Sequence, residues 1–347
     1  MINQALAVVV ERRDLTRSQA RDVMHQIMSG DATSGQIGAF LVALRMKGET
    51  SEEIAGCADA MRAHAVPVQP RHSKLIDTAG TGGDGAATLN ISTAAALVAA
   101  AGGARVAKHG NRAVSSASGS ADVLEALGFN LDLHPGTIAD SIDRFGFGFL
   151  FAPAHHPAMR HAGPVRKELA TRTVFNILGP LTNPAGAQGQ VIGVYGPHLV
   201  GKVAEVVILL GVERALVVHG AGGIDELSTA GPNLVQEVTN GEAVQRTVYP
   251  EDLGIRRCDP DELSGGSPSQ NADAIKAIFE GMTGAKRDAV LLNAAAALYV
   301  AGIAATLAEG YERAADVVDS GAAGERLEQL VRYSQAYAEV PHEAYAS

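Results

Sequence analysis

The sequence predicts an α/β protein in which a small all-helical domain precedes a larger α/β domain with a mostly parallel central sheet. Three observations carry that expectation. Apolar residues recur at helical spacing from Met1 to about Ala65. Pro67-Val68-Gln69-Pro70 then breaks the pattern and marks a crossing between domains. From Lys74 onward short apolar strands alternate with helical runs. Such alternation implies βαβ units, with ligands held at the carboxyl ends of the strands.

The elements follow in order. Thr16 with Gln19 forms a capping box before a helix over Ala20–Met28, which Gly30 ends. Ile37, Phe40, Leu41 and Leu44 share a helical face before Gly48, and Ser51 starts a helix containing Ile54, Ala58 and Met61. These stripes form core or a subunit interface and carry no chemistry of their own. Strands are expected at Lys74–Asp77, Arg105–Ala107, Phe147–Phe151, Val191–Tyr195 and Ala215–His219. Helices are expected at Ala94–Ala101, Ala121–Leu127 and Val200–Leu210. Leu234–Thr239 and Glu242–Tyr249 read as a hairpin turning at Asn240-Gly241. The chain returns to helix from Ala272. Ala289 to Ala308 reaches membrane-span length, but alanine dominates it and Asn293, Gly302 and Thr306 interrupt it, so a buried helix is expected.

Composition narrows the function classes. The chain has 347 residues, 46% hydrophobic and 19% charged, which suits a globular protein of more than one domain. Its 38 acidic residues outnumber 28 basic ones, which argues against a nucleic-acid-binding surface. An anionic ligand must therefore be held by local groups. Cys57 and Cys258 make neither a metal spacing nor a disulfide framework, and no signal-peptide pattern accompanies Glu11 to Asp14. Reduced thiols in a cytoplasmic protein are expected.

The chemistry concentrates between Asp77 and Asp122. Gly80-Thr81-Gly82-Gly83-Asp84-Gly85 follows the first strand, and glycines let a backbone turn its amides toward an anion. Asn90 and Ser92 cap the next helix, whose N-terminus carries a positive dipole end. Lys108-His109-Gly110-Asn111-Arg112 leaves the second strand, and Ser115, Ser116, Ser118 and Ser120 lead into a further helix. A single glycine-rich turn is often only a turn. The pair suggests a ligand with several phosphate oxygens. Neither the P-loop nor the G-x-G-x-x-G fingerprint is present. Asp225 and Glu226, beyond a strand end, can hold Mg2+, although such a pair alone is more often a solvated turn. Ser/His/Asp nucleophile chemistry has no support, since G-x-S-x-G is absent.

GTGGDG, NIST, KHGNR, the Ser115-Ser116 pair and GSADVLEALG resemble the consecutive motifs of the anthranilate phosphoribosyltransferase family of tryptophan biosynthesis. HHPAMRHAGPVRKELATRTVFNILGPLTNP, from His155 to Pro184, resembles its acceptor segment, and VVHGAGGIDELS, from Val217 to Ser228, its metal segment. The likeness covers nearly the whole chain. It implies transfer of the 5-phosphoribosyl group from phosphoribosyl diphosphate (PRPP) to the amine of anthranilate, with pyrophosphate released. It also implies a helical domain over 1–70 with part of 165–188, an α/β domain over 71–164 and 189–347, and a homodimer meeting through the helical domain. Neither nucleic acid nor membrane is an expected partner.

By the same resemblance PRPP is held by Gly80, Gly83, Asp84, Thr88, Asn90, Ile91, Ser92 and Thr93 on the first loop and helix end. Lys108, His109, Gly110, Asn111, Arg112, Ala113, Val114, Ser115, Ser116 and Ser120 hold it on the second. The 5-phosphate belongs either to the Lys108–Ser116 loop or to the Asn90 helix end. Arg166, whose fork suits a carboxylate, is implied as the anthranilate clamp, with Gly80 and Asn111. Ser92 joins Asp225 and Glu226 as a metal ligand, and a pair of Mg2+ ions per monomer is implied. Lys108 offsets diphosphate charge, while His109 and Arg166 position substrate. No side chain is expected as an acid or base, because an aromatic amine is already nucleophilic at neutral pH. His155, His156 and His161 read as hinge or aromatic-pocket residues. A pyrimidine nucleoside phosphorylase and a non-catalytic nucleic-acid-binding relative are the alternatives.

Overall fold

The computed structural model describes residues 1–113 and 117–337. Four helices open the chain: α1 (Ile2–Val10), α2 (Arg17–Met28), α3 (Ser34–Lys47) and α4 (Ser51–Ala63). The Thr16–Gln19 capping box forms as expected, and Thr33–Gln36 and Thr50–Glu53 repeat it at α3 and α4. Each box satisfies amides that a helix start leaves unpaired, so three of the four helices begin at fixed residues.

The α/β part runs β1 (Ile76–Gly80), α5 (Ile91–Ala101), β2 (Val106–Gly110), α6 (Ser120–Ala126), α7 (Pro135–Phe145), β3 (Phe147–Phe151) and α8 (Ala152–His155). After a 3-10 turn at Pro157–His161 come α9 (Gly163–Leu169), α10 (Phe175–Leu181), β4 (Gly189–Gly193), α11 (His198–Leu209), β5 (Arg214–His219), β6 (Asn233–Thr239) and β7 (Glu242–Val248). Then follow α12 (Pro268–Phe279), α13 (Ala285–Val300), α14 (Leu307–Asp319) and α15 (Ala322–Ala336). The sheet order is β3-β2-β1-β4-β5-β6-β7. The strands from β3 to β5 pair in parallel, and β6 and β7 add an antiparallel hairpin. Its turn has φ of 53° at Asn240 and 82° at Gly241, the doubly left-handed pair that a tight hairpin needs.

Chain order reverses at β1, with β2 on one side and β4 on the other. Crevices open at such a point because the connections on its two sides depart in opposite directions. The strands there differ in extent from the sequence reading. β1 runs on to Gly80 because its ladder with β4 continues from Ile76↔Gly189 to Gly80↔Gly193. β2 includes Lys108, His109 and Gly110, which were expected to leave the strand, because β3 pairs with them through Gly110↔Phe151. β4 starts and ends at glycines rather than spanning Val191–Tyr195. A Cβ on Gly189 would lie 2.8 Å from the Ile76 side chain, and one on Gly193 would lie 1.5 Å from the Asp225 carbonyl oxygen.

Two apolar cores flank the sheet. One joins α5, α6, α7 and α12–α15 to one face. The other joins α1–α4, α9, α10 and α11 to residues of β4 and β5. Val165, Phe175, Ile177, Leu178 and Leu181 belong to this second core with the N-terminal helices, whereas Ala187 belongs to the first, with Ala185 packed against it. The apolar stretch from Ala289 is a buried core helix, α13, and it ends at Val300. Among the described residues no helix is long and apolar enough to cross a membrane.

Candidate active site

The first glycine loop leaves β1 at the switch point. Gly82, Gly83 and Gly85 have φ of 66°, 76° and 77°, a region costly for any residue with a Cβ. The Gly82 amide donates to Asp225 Oδ2 at 2.7 Å, and the Thr81 amide donates to the Gly193 carbonyl at 2.9 Å. Gly80 is glycine for space, since a Cβ there would lie 2.2 Å from Asp225 Oδ2. Asp84 ties the loop to the acidic segment: Oδ1 accepts from Ala86 N and Oδ2 from Asp225 N, both at 3.2 Å. Thr88 bridges to Ser264.

At the head of α5 the structure corrects one expectation. Asn90 occupies the cap position, but its side chain makes no cap hydrogen bond. Its Nδ2 donates to the Ser118 carbonyl and its Oδ1 accepts from Ser118 Oγ and Asn271 Nδ2, tying three segments together. A carboxylate does the capping instead, as the Ser92 amide donates to Glu226 Oε1 at 3.1 Å. Ile91 is buried, and the buried Thr93 hydroxyl has no hydrogen-bond partner among the described residues.

The second loop begins inside β2. Lys108 is 2% exposed, and its Nζ donates to the Thr78 carbonyl and lies 3.4 Å from Ser92 Oγ. Burial lowers its pKa, opposed by the nearby carboxylates Asp77, Glu226 and Asp225. The Asn111 carbonyl accepts from Ser120 Oγ and from Ala121 N. Arg112 forks onto Glu125 and reaches Asp122 at 3.2 Å, while Asp122 Oδ2 accepts the Ala113 and Gly119 amides. Gly110 leaves room for Ser120 Oγ, which would lie 2.2 Å from a Cβ. Val114, Ser115 and Ser116 lie outside the described residues.

The acidic pair meets the first loop and the head of α5, within reach of the Lys108 charge. Burial raises the pKa of Asp225 well above the usual carboxylate range, with Glu226 and Asp84 adding repulsion. Burial pushes Glu226 up to about 7, against the pull of Lys108 and the Ser92 hydrogen bonds. Asn293 of α13 holds the loop carrying them: it accepts from Leu227 N at 3.0 Å and donates to the Leu227 carbonyl at 2.7 Å. A small cavity lies between Thr78, Ser92, Gly193, Glu226 and Asn293.

Residues 3–65 match the glycosyl transferase family helical bundle domain, and residues 72–324 match the a/b domain of the same family. Anthranilate phosphoribosyltransferase of Acetivibrio thermocellus is 50% identical over 337 residues, covering 97% of this chain and 98% of its own. That of Anaeromyxobacter sp. is 54% identical over 331 residues, covering 95% and 98%. The crystal structure of the Thermus thermophilus enzyme superposes with a TM-score of 0.91 at 46% identity, covering 95% of this chain and 99% of its own. The chain belongs to the anthranilate phosphoribosyltransferase family. The Saccharomyces cerevisiae anthranilate phosphoribosyltransferase in complex with PRPP and Mg superposes at 0.89 with 27% identity, covering 96% and 98%. The family assignment sets aside the nucleoside phosphorylase and nucleic-acid-binding readings.

In this anthranilate phosphoribosyltransferase family member the segment from His155 to Pro184 lies beside β1 and β2. His109 Nδ1 pairs with the Gly179 carbonyl at 3.1 Å, and its buried Nε2 has no hydrogen-bond partner among the described residues. Burial and the His156 ring, 5.0 Å away, push its pKa down to about 3. It is therefore neutral. His156 falls to about 4, mainly through burial. His155 exchanges hydrogen bonds with Val66 in the linker, and His161 lies against Gly30. Arg166 lies over the Phe175 ring at 5.0 Å, and burial lowers its pKa. No hydrogen bond among the described residues joins it to Gly80 or Asn111.

Sequence reasoning missed Asp77, Thr78, Asn183, Tyr195 and Arg172. Asp77 is buried between the two loops' strands, accepting from His109 N at 3.2 Å and Asn183 Nδ2 at 2.8 Å. Nothing local distinguishes it from a strand-end turn residue. Arg172 shares the segment of Arg166, which was the one available signal.

Among the described residues no three His, Cys, Asp or Glu side chains make a cation cage. The donor set nevertheless suits Mg2+, which takes one or two carboxylates and completes its shell with substrate phosphates and water. Asp225 and Glu226 repel each other beside the Ser92 hydroxyl, and a divalent ion would relieve that repulsion.

Proposed function

We propose that this chain transfers the 5-phosphoribosyl group of PRPP to the amine of anthranilate, the second step from chorismate toward tryptophan. The observation that carries the reading is the meeting of the first glycine loop and the head of α5 with one acidic pair, within reach of the Lys108 charge: Gly82 N on Asp225, Ser92 N on Glu226, and Lys108 Nζ beside Ser92. The amine nitrogen attacks the anomeric carbon, the bond to the diphosphate oxygen breaks, and the nitrogen then loses one of its protons to solvent. Lys108 and the loop amides hold the diphosphate, and Arg166 with Asn111 and Gly80 aligns the anthranilate carboxylate. A Mg2+ ion held by Asp225, Glu226 and Ser92 supplies charge compensation for the departing diphosphate. The chain's own contribution is position and preset electrostatics.

Support for Mg2+ comes from the yeast relative in complex with PRPP and Mg. We also read the protein as a cytoplasmic homodimer that meets through the helical bundle. The exposed Met1, Val10 and Met46 on that bundle and the two free cysteines support this.

Anthranilate fluorescence, followed with PRPP and Mg2+ present, tests the reaction. The chain has no tryptophan to interfere. Loss of signal that requires PRPP supports the reading, and constant fluorescence at all donor concentrations rejects it. Light scattering tests the dimer.

A further inference from the structure

We propose that Arg172 is a positioning residue for the donor, a latch that fixes the glycine loop after β1 from the opposite side of the crevice. The proposal rests on reading that loop as the PRPP site. Arg172 lies between α9 and α10, and its Nη2 donates to the Gly83 carbonyl. Its guanidinium carbon sits 4.1 Å from the centroid of the Tyr195 ring, just beyond β4. Tyr195 is itself bound to the loop, since its amide donates to Thr81 Oγ1 at 3.0 Å. Three segments distant in sequence therefore meet at one side chain.

The loop needs such a hold. A Cβ built at Gly82 or Gly85 would meet nothing within 4 Å, and one at Gly83 would meet only Arg172 Nε and Nη2 at 3.9 Å. Asp225 fixes the Gly82 amide, but Arg172 is the side chain against Gly83. Glycines lose more conformational freedom on ordering than other residues, so their amides form a fixed cradle only when other groups restrain them.

The rest of the Arg172 environment fits a latch better than a surface ion pair. Among the described residues no carboxylate pairs with it, and of its nitrogens only Nη2 has a protein acceptor. Its guanidinium is exposed beside a loop suited to anions. A planar guanidinium can stack on an aromatic ring while donating to a carbonyl in its own plane, whereas an ammonium offers only a point charge.

Steady-state kinetics with both substrates, together with amide exchange of residues 81–86, test the latch in Arg172→Ala, Arg172→Lys and Tyr195→Leu. Arg172→Ala should raise the donor KM about tenfold, with kcat and the anthranilate KM within about twofold, as loss of one charged hydrogen bond predicts. Exchange should quicken in the loop alone. Arg172→Lys should leave most of the defect in place, and Tyr195→Leu should shift the donor KM in the same direction. An unchanged donor KM, full rescue by lysine, or a uniform loss of kcat with a lowered melting temperature would overturn the latch. Wild-type protein that turns over no PRPP would instead overturn the functional reading. Loop exchange in Arg172→Ala needs no substrate, and if it stays at the wild-type rate the latch fails by itself.

Discussion

The backbone amide of Ser92 donates to Glu226 Oε1 at 3.1 Å, so a carboxylate from the loop after β5 caps the helix after β1. One contact thereby brings the N-terminus of α5 and an acidic pair into a single site. Glu226→Gln keeps an acceptor for that amide and removes the charge. Half-saturating Mg2+ should rise about 10–100-fold, with kcat/KM falling to match, as expected when a metal site loses a key group. Titrating activity with Mg2+ checks this, and an unaltered Mg2+ requirement would remove Glu226 from the metal site.

Asp77 links acid stability to the buried polar floor of the site. Burial raises its pKa from 3.8 to about 6, with Lys108 and the Asn183 hydrogen bond opposing. A carboxyl with a raised folded pKa binds more protons folded than unfolded, so its contribution is full below pH 3.8 and lost as pH rises through about 6. Asp77→Asn should flatten the stability profile across that window. It should also cost about 1–3 kcal/mol overall, because His109 N and Asn183 Nδ2 donate to different oxygens and an amide would turn its NH2 toward one of them. Urea denaturation at several pH values measures both effects.

Gly80 and Gly193 face the same aspartate but should fail differently. A Cβ at Gly80 meets the end of the Asp225 side chain at 2.2 Å, whereas one at Gly193 meets its backbone oxygen at 1.5 Å. Gly80→Ala should displace the carboxylate, lowering activity at least about tenfold with modest loss of stability. Gly193→Ala should part β4 from the Asp225 loop and destabilise by about 2–4 kcal/mol, in the range of overpacked cores. Activity and melting temperature measured side by side separate the two. Equal losses of stability would contradict the assignment.

Arg166 is half-buried over Phe175, with no carboxylate against it among the described residues. Arg166→Ala should raise the anthranilate KM about 10–100-fold and leave the donor KM near wild type, from loss of a charged bidentate pair. Arg166→Lys should recover only part of it. A donor KM that moves as far as the acceptor KM would place Arg166 elsewhere in the reaction.

The readable parts of the molecule were those whose cause lies within a few residues. The Thr16 capping box, the Asn240-Gly241 hairpin and the left-handed glycines after β1 follow from local backbone preference. The strand limits near the site were less readable. Lysine and histidine seldom fill a central strand, yet Lys108 and His109 do, because Thr78, Ser92, Asp77 and Gly179 supply partners from other segments. Asn90 looked like a helix cap by residue type and became a tie between segments once Ser118 and Asn271 approached it.

By itself, the sequence determined an acidic chain with two amide-rich turns, a helical leader and an alternating α/β body, since turn and helix chemistry is set by neighbours along the backbone. Only the tertiary structure decided that Asp225 meets Gly82, that Glu226 caps the Ser92 helix end, and that Arg172 reaches Gly83. Those pairings depend on parallel ladders and burial that join segments more than a hundred residues apart in the first two cases. No local preference specifies them.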